Sequence, residues 1–285
     1  MDAAIYPGKK PGEQAALESM LDRLEEPEHS ILIMDRGYES YQMAASLQAR
    51  NIPFVLRVKK PSSNRGFLAK ADLPEQEEFD LPFTCRIAHA DFFKGKRSRA
   101  RMLEEGYKPS NHCFSYVSKA SPTYCFQSMR VIRCTGSPQA QEPVYLLTNL
   151  PEEDFSFTEI KEWYRLRWGI ETSFRELKYA LSLLHFHSKK MDLILQEIYA
   201  KLTMYNFSRM ITNLLQSEVK PGRKHSRQVN HTYAVKICRE YFREKVSPSD
   251  LKVLILRNTL PIRPDRHYER KPQKKQPRTF HYRIT

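Results

Sequence analysis

At 285 residues and 40% hydrophobic content the chain can bury a sizeable core, and its length suits one large or two modest domains. Its 47 Lys and Arg against 33 Asp and Glu leave a net charge of +14, which favours an acidic partner. There is no run of 18 apolar residues to cross a membrane and no signal-peptide core in the first 25 residues, so the expected location is the cytoplasm.

Residues 12–24 have the pattern of a helix. The apolar run Ile31-Leu32-Ile33-Met34 is followed by Asp35-Arg36-Gly37-Tyr38, a helical pattern over 39–51, and the β-rich run Pro53-Phe54-Val55-Leu56-Arg57-Val58. Strand, helix and strand predict a βαβ unit with a parallel pair and a right-handed crossover. Asp35 then stands at the C-terminal end of a buried strand, where ligands collect in open α/β sheets, although Asp is also a favoured helix cap. Residues 60–142 contain short alternating runs at 83–88, 113–119 and 124–134 separated by Pro, Ser, Gly and Asn, which predicts an antiparallel β section. The basic cluster at 94–101 lies within it.

Five cysteines, Cys85, Cys113, Cys125, Cys134 and Cys238, are odd in number and lack CxxC spacing, which favours reduced thiols over a disulfide framework. A zinc site built on His112, Cys113, Cys125 and Cys134 has no finger-like ligand spacing. A further buried strand is expected at 144–148, and Ser156 with Glu159 offers a capping box for the next helix. On that helix Tyr164, Arg167, Glu171 and Lys178 fall at about 0°, 300°, 340° and 320°, an arc of roughly 60°. One face would thus present a carboxylate among groups suited to phosphate; a solvated charged face is the plainer reading of spacing alone. Packed amphipathic helices are expected at 191–215 and 233–245.

Asp-Arg-Gly-Tyr after an apolar strand, the Tyr-x2-Arg-x3-Glu-x6-Lys spacing, and 136 positions between Asp35 and Glu171 together resemble the DDE transposases of bacterial insertion sequences. Within them the match is to the YREK-signature branch, insertion sequence family four. The resemblance implies an α/β fold, a ribonuclease-H-like mixed sheet with a mainly β insertion and an α-helical C-terminal part. In segments this is 1–60 and 143–190 for the core, 61–142 for the insertion, and 191–285 for a helical, basic C-terminal region and tail. It implies DNA transposition: metal-dependent cleavage at transposon ends and strand transfer, a form of DNA recombination. Asp35 and Glu171 would be catalytic metal ligands for two Mg2+ or Mn2+ ions, and Tyr164, Arg167 and Lys178 would hold transposon-end phosphates. The partners implied are double-stranded DNA, at transposon ends and target, and a second subunit in a homodimer on DNA.

One departure accompanies the match. The segment Ala3-Ala4-Ile5-Tyr6-Pro7 looks like the third strand of the fold, so the first catalytic Asp and two strands are expected to be absent from this chain. Asp2 and Asp22 are poor replacements. A truncated, impaired transposase is therefore expected, beside two alternatives: a catalytically inactive DNA-binding remnant that interferes with transposase, and a ribonuclease-H-like metal nuclease.

Charge is concentrated at the C-terminal end. From Glu218 to Thr285 there are 18 Lys and Arg against 6 Asp and Glu, so +12 of the +14 lies there. Clusters at Arg223-Lys224, Arg227, Arg263, Arg266, Arg270-Lys271 and Lys274-Lys275 suit phosphate neutralisation, with Tyr268, Phe280 and Tyr282 able to stack on bases or anchor the tail. A disordered basic tail is the plainer reading of that composition.

Overall fold

The computed structural model describes residues 4–5, 12–110, 116–117, 121–135, 142–222, 225–263 and 281–282. Two compact units divide the chain, Asp2–Trp168 and Gly169–Thr285.

The first unit is a mixed sheet with helices. Its elements are α1 (Glu13–Leu21), β1 (Leu32–Met34), α2 (Tyr41–Ala49), β2 (Phe54–Val58), β3 (Phe79–His89), α3 (Lys96–Glu104), β4 (Tyr107–Ser110), β5 (Thr123–Cys134), β6 (Val144–Thr148) and α4 (Phe157–Leu166). The six strands run in the order β1-β2-β6-β5-β3-β4. The β1–α2–β2 unit has the parallel pairing read from the sequence, with Ile33 opposite Val55. β2–β6, β6–β5 and β5–β3 are antiparallel, whereas β3–β4 is parallel, so the middle section is not uniformly antiparallel. Its strands also extend the same sheet as β1, β2 and β6 instead of forming a separate one.

Strand alternation divides the core between two faces. Met34, Phe54, Leu56, Val58, Val131 and Leu147 pack on one face with Met43, Ala44 and Leu47 of α2. Val55, Ile132, Cys134 and Leu146 pack on the other with Ile160 of α4. Asn149, just past β6, fixes the pairing near the start of β2: its Oδ1 accepts from Phe54 N at 2.9 Å and its Nδ2 donates to Ile52 O at 3.1 Å. Glu39 is buried as a structural carboxylate, accepting from Lys59 N at 3.0 Å and Phe67 N at 3.1 Å. Gly66 makes this approach feasible, since its φ is +111° and a Cβ would come within 2.2 Å of Glu39 Oε1.

The second unit is mainly helical: α5 (Trp168–Tyr179, its first residue being the last of the first unit), β7 (His185–Phe186), α6 (Met191–Gln216), β8 (Arg227–Val229), α7 (His231–Phe242), α8 (Pro248–Arg257), β9 (Thr259–Pro261) and β10 (His281–Tyr282). β8 pairs antiparallel with β9, and β10 parallel with β7. Leu215, Ala234, Ile237, Cys238, Leu251 and Ile255 form the core of α6, α7 and α8. No described helix is long and apolar enough to cross a membrane. The helices expected at 191–215 and 233–245 correspond to α6 and α7. α8 was not foreseen, although Ser247 as N-cap and Pro248 at the first helical position are its start signal.

Several expectations concern residues outside those described: the first strand except Ala4 and Ile5, which carry no strand assignment, and most of the run at 113–119. His112, Cys113, Arg223-Lys224, Arg266, Tyr268, Arg270-Lys271, Lys274-Lys275 and Phe280 also lie outside. Cys85, Cys125, Cys134 and Cys238 are free, and burial pushes the thiols of Cys85, Cys134 and Cys238 up to about 11.

His231, at the start of α7, is 8% exposed, and burial followed by the charge of Arg209 pushes its pKa down to about 4. The unfolded chain takes up this proton near pH 6.5, the folded chain only near 4. Stability gained from the neutral ring is therefore complete above pH 6.5 and is lost as the pH falls toward 4. Thermal unfolding across that interval is expected to show a falling midpoint, with a shallower fall in His231→Gln; equal slopes for the two proteins would refute the assignment.

Candidate functional site

Asp35 follows β1 with extended backbone, φ −85° and ψ 178°. Leu32 and Met34 pack on the α2 face and Ile31 on the α4 face. Asp35 Oδ1 accepts from Gly37 N at 2.8 Å and caps the short turn Arg36–Tyr38, while α2 takes its own cap from Ser40. The capping reading of Asp35 thus holds for the turn and not for the helix. A Cβ at Gly37 would stand 3.0 Å from Asp35 Oδ1, so glycine leaves room beside that carboxylate. Gln14 of α1 donates to Gly37 O at 3.0 Å. The Tyr38 hydroxyl is pushed up by burial and then by the charges of Glu13 and Asp35. Glu13 is a neighbour that sequence reasoning missed, because only the fold brings α1 to the end of β1. Asp22 instead pairs with Arg50 at 2.6 Å on the surface.

The chain reaches α4 through a loop fixed from below. Arg130 of β5 is buried, pairs with Asp80, and donates from Nη1 to Leu150 O at 3.0 Å and Phe155 O at 2.9 Å. The capping box is present in both halves, Ser156 with Glu159. Lys161 then pairs with Glu78 at the edge of β3, a carboxylate held down to about 2 by Lys161 and Thr135. Ile160 is fully buried under the helix.

These anchors bring Tyr164 against the apolar cluster of the α4 face. Its ring is half-buried and its hydroxyl oxygen is closed off from solvent. Burial raises the phenol pKa, opposed by the nearby guanidinium groups of Arg167 and Arg57. Arg167 lies 5.9 Å from the Tyr164 ring centre and 5.2 Å from that of Trp168. Tyr164 and Arg167 are therefore brought together, and Arg57 joins them. Its signal in the sequence was a lone charge within a strand otherwise buried on both faces, Phe54-Val55-Leu56-Arg57-Val58.

Tyr164 and Glu171 do not share one uninterrupted helix. α4 ends at Leu166, Arg167 N bonds back to Tyr164 O at 3.2 Å in a tighter turn, and α5 starts at Trp168. Gly169, a poor helix former, follows at once. Tyr164 and Arg167 belong to the first unit, and Glu171 and Lys178 to α5 of the second. Within α5 the latter two are seven residues apart and share a face. Glu171 and Arg175 are exposed and Lys178 is half-buried.

Asp35 and Glu171 offer hard oxygen donors of the kind that Mg2+ and Mn2+ take, and the space beside Asp35 left by Gly37 fits such a role. Among the described residues there is no group of three or more His, Cys, Asp or Glu side chains placed to hold a metal ion.

Comparison with known proteins bears on this arrangement. The family model described as the transposase DDE domain matches residues 1–207, a span that contains Asp35, Tyr164, Arg167, Glu171 and Lys178. The chain is 28% identical over 195 residues to the transposase for insertion sequence element IS421 of Escherichia coli, covering 64% of this chain and 51% of that protein. It has the same identity and coverage with the InsL protein named for insertion sequence element IS186A of Escherichia coli strain K12. The chain spans about half the length of the curated relatives it matches. With the family model covering most of its residues, including both carboxylates and the pair Tyr164 and Arg167, the chain belongs to the transposase DDE domain family.

Proposed function

We infer that the protein acts in cut-and-paste DNA transposition, through a ribonuclease-H-like core of the YREK branch. The observation that carries this reading is the position of Asp35, held in an extended conformation at the C-terminal end of β1 beside a glycine, in a chain of the DDE family. Asp35 and Glu171 serve as metal ligands. Divalent metal ions held there would activate the attacking oxygen and neutralise charge on the leaving oxygen. Two carboxylates hold a metal pair weakly, so the reading calls for a third oxygen donor besides these two.

The chain's own side chains then orient the DNA. Tyr164, Arg167 and Lys178 grip the phosphates near the transposon end, the guanidinium as a planar double donor and the ammonium as a compact charge. Water attacks the phosphodiester, the O–P bond to the departing strand breaks, and a free 3′ hydroxyl remains. That hydroxyl next attacks a target phosphodiester and forms a new O–P bond as the target strand is released. Sequence-independent affinity for duplex DNA comes from the exposed cations of α3, Lys96, Arg97, Arg99 and Arg101, and from the basic C-terminal quarter. A homodimer on the paired ends and a cytoplasmic location complete the reading.

Glu171→Gln should lower Mg2+-dependent cleavage of end-bearing DNA by about 100-fold or more, while affinity for duplex DNA stays unchanged. Cleavage retained in that variant would remove Glu171 from the site. Lys178→Ala should weaken binding to end DNA about tenfold and binding to random duplex far less. An equal loss on both DNAs in a competition titration would reduce Lys178 to a general electrostatic contact.

A further inference from the structure

The second unit contains a polar cluster between α5, α6 and α7 that takes no part in the site described above. Arg209 of α6 donates from Nη2 to Glu176 Oε2 of α5 at 2.6 Å and from Nε to the Tyr205 hydroxyl at 3.0 Å. Tyr205 donates its hydroxyl to Ser173 Oγ of α5 at 2.7 Å, and Ser173 donates to Gly169 O at 2.9 Å. His231 of α7 brings its Nδ1 to 3.2 Å from the same Glu176 oxygen and its Nε2 to 3.4 Å from Ser208 Oγ. The cluster is largely withdrawn from water, with Tyr205 3% and the Glu176 side chain 14% exposed.

The placement of these groups on α5 gives the cluster its meaning. Taking Glu171 as 0° and about 100° per residue, Glu176, Ser173 and Leu177 fall at about 140°, 200° and 240°, while Arg175 and Lys178 fall at about 40° and 340°. The gripped residues and the outward residues are thus on opposite sides of one helix. Leu177 is buried with Leu181, Tyr205 and Val235, but apolar contact is non-directional and tolerates rotation of the helix. Ser173 and Glu176, one turn apart, are each held by a directional bond from Tyr205 and Arg209, themselves one turn apart on α6. Two such bonds fix both rotation and translation of α5.

We propose that Glu176 and Arg209, through Tyr205 and Ser173, are positioning residues that set the rotation of α5 and so aim Glu171 and Lys178 outward together. The inference rests on the reading of Glu171 as a metal ligand and Lys178 as a phosphate contact. None of the clamp residues touches metal or DNA. Their effect on cleavage passes through the orientation of Glu171.

The test compares the full chain with Glu176→Gln, which preserves shape and an acceptor for Arg209, and with the double variant E176M/R209M, in which an apolar pair of similar length replaces the ion pair. Amide hydrogen exchange and end-DNA cleavage are measured on all three, with duplex binding as the control for folding. The clamp predicts that the double variant binds random duplex as wild type does. Its α5 amides exchange about tenfold faster while those of α6 and α7 do not change, and kcat falls about tenfold or more with little change in KM. Glu176→Gln should recover most of the wild-type rate. Unchanged α5 exchange in the double variant, or faster exchange with unchanged kcat, would overturn the proposal. If the wild-type chain shows no metal-dependent cleavage, the reading of function fails, and the exchange pattern alone decides whether the clamp exists.

Discussion

Side-chain alternation along β1, β2 and β6 is the constraint on which the first unit depends. Both faces of these strands are covered, so a slip of one residue would exchange every inward group between faces. Thr148 and Asn149 oppose such a slip by bonding to Phe54 and Ile52 beyond the ladder itself, with Thr148 Oγ1 donating to Phe54 O at 2.6 Å. With the register held, Leu56 and Val58 meet α2, while Val55 and Arg57 meet α4. Arg57 reaches Tyr164 for this reason.

Around that sheet, charge performs two separable tasks. Glu39 accepts two backbone amides, Asp80 pairs with the buried Arg130, and Glu78 holds Lys161. Each partnership ties a loop or helix to the sheet; of the three, Arg130–Asp80 is the buried ion pair, and removal of one of its members would leave a desolvated charge, which commonly costs about 3–5 kcal/mol. Asp80 and Glu78 together locate the loop before α4 and the helix itself, and so place Tyr164. Basic residues outside these partnerships, above all those of α3, lie on the surface, where their value is long-range attraction for polyanions.

The sequence made local features legible. The βαβ unit could be read because apolar runs, helix and turn are all encoded within about 30 residues, and the capping box at Ser156 and Glu159 because it needs only three positions. Features created by distant contacts could not be read. The parallel β3–β4 pair, the approach of Glu13 to the Asp35 turn, and the grip of Arg209 on Glu176 each join segments separated in sequence. The break at Arg167 was hidden for another reason: Tyr164 to Lys178 contains no proline, and only a tightened turn before Gly169 interrupts the helical ladder. The types of the five candidate residues were legible from motif spacing; Arg57 left a trace as the lone charge of its strand, but the approach of Glu13 to Asp35 came only from the fold.

The central claim, that Asp35 and Glu171 act together in transposition chemistry, is tested most directly by following end-labelled DNA that carries the element's termini. The full gene product is incubated with Mg2+ or Mn2+ and an unlabelled target plasmid. The account predicts that label appears covalently joined to the target and disappears in both Asp35→Asn and Glu171→Gln. Cleavage to free ends with no joined product would contradict transposition and favour a metal nuclease; joining that survives either substitution would contradict the assigned site.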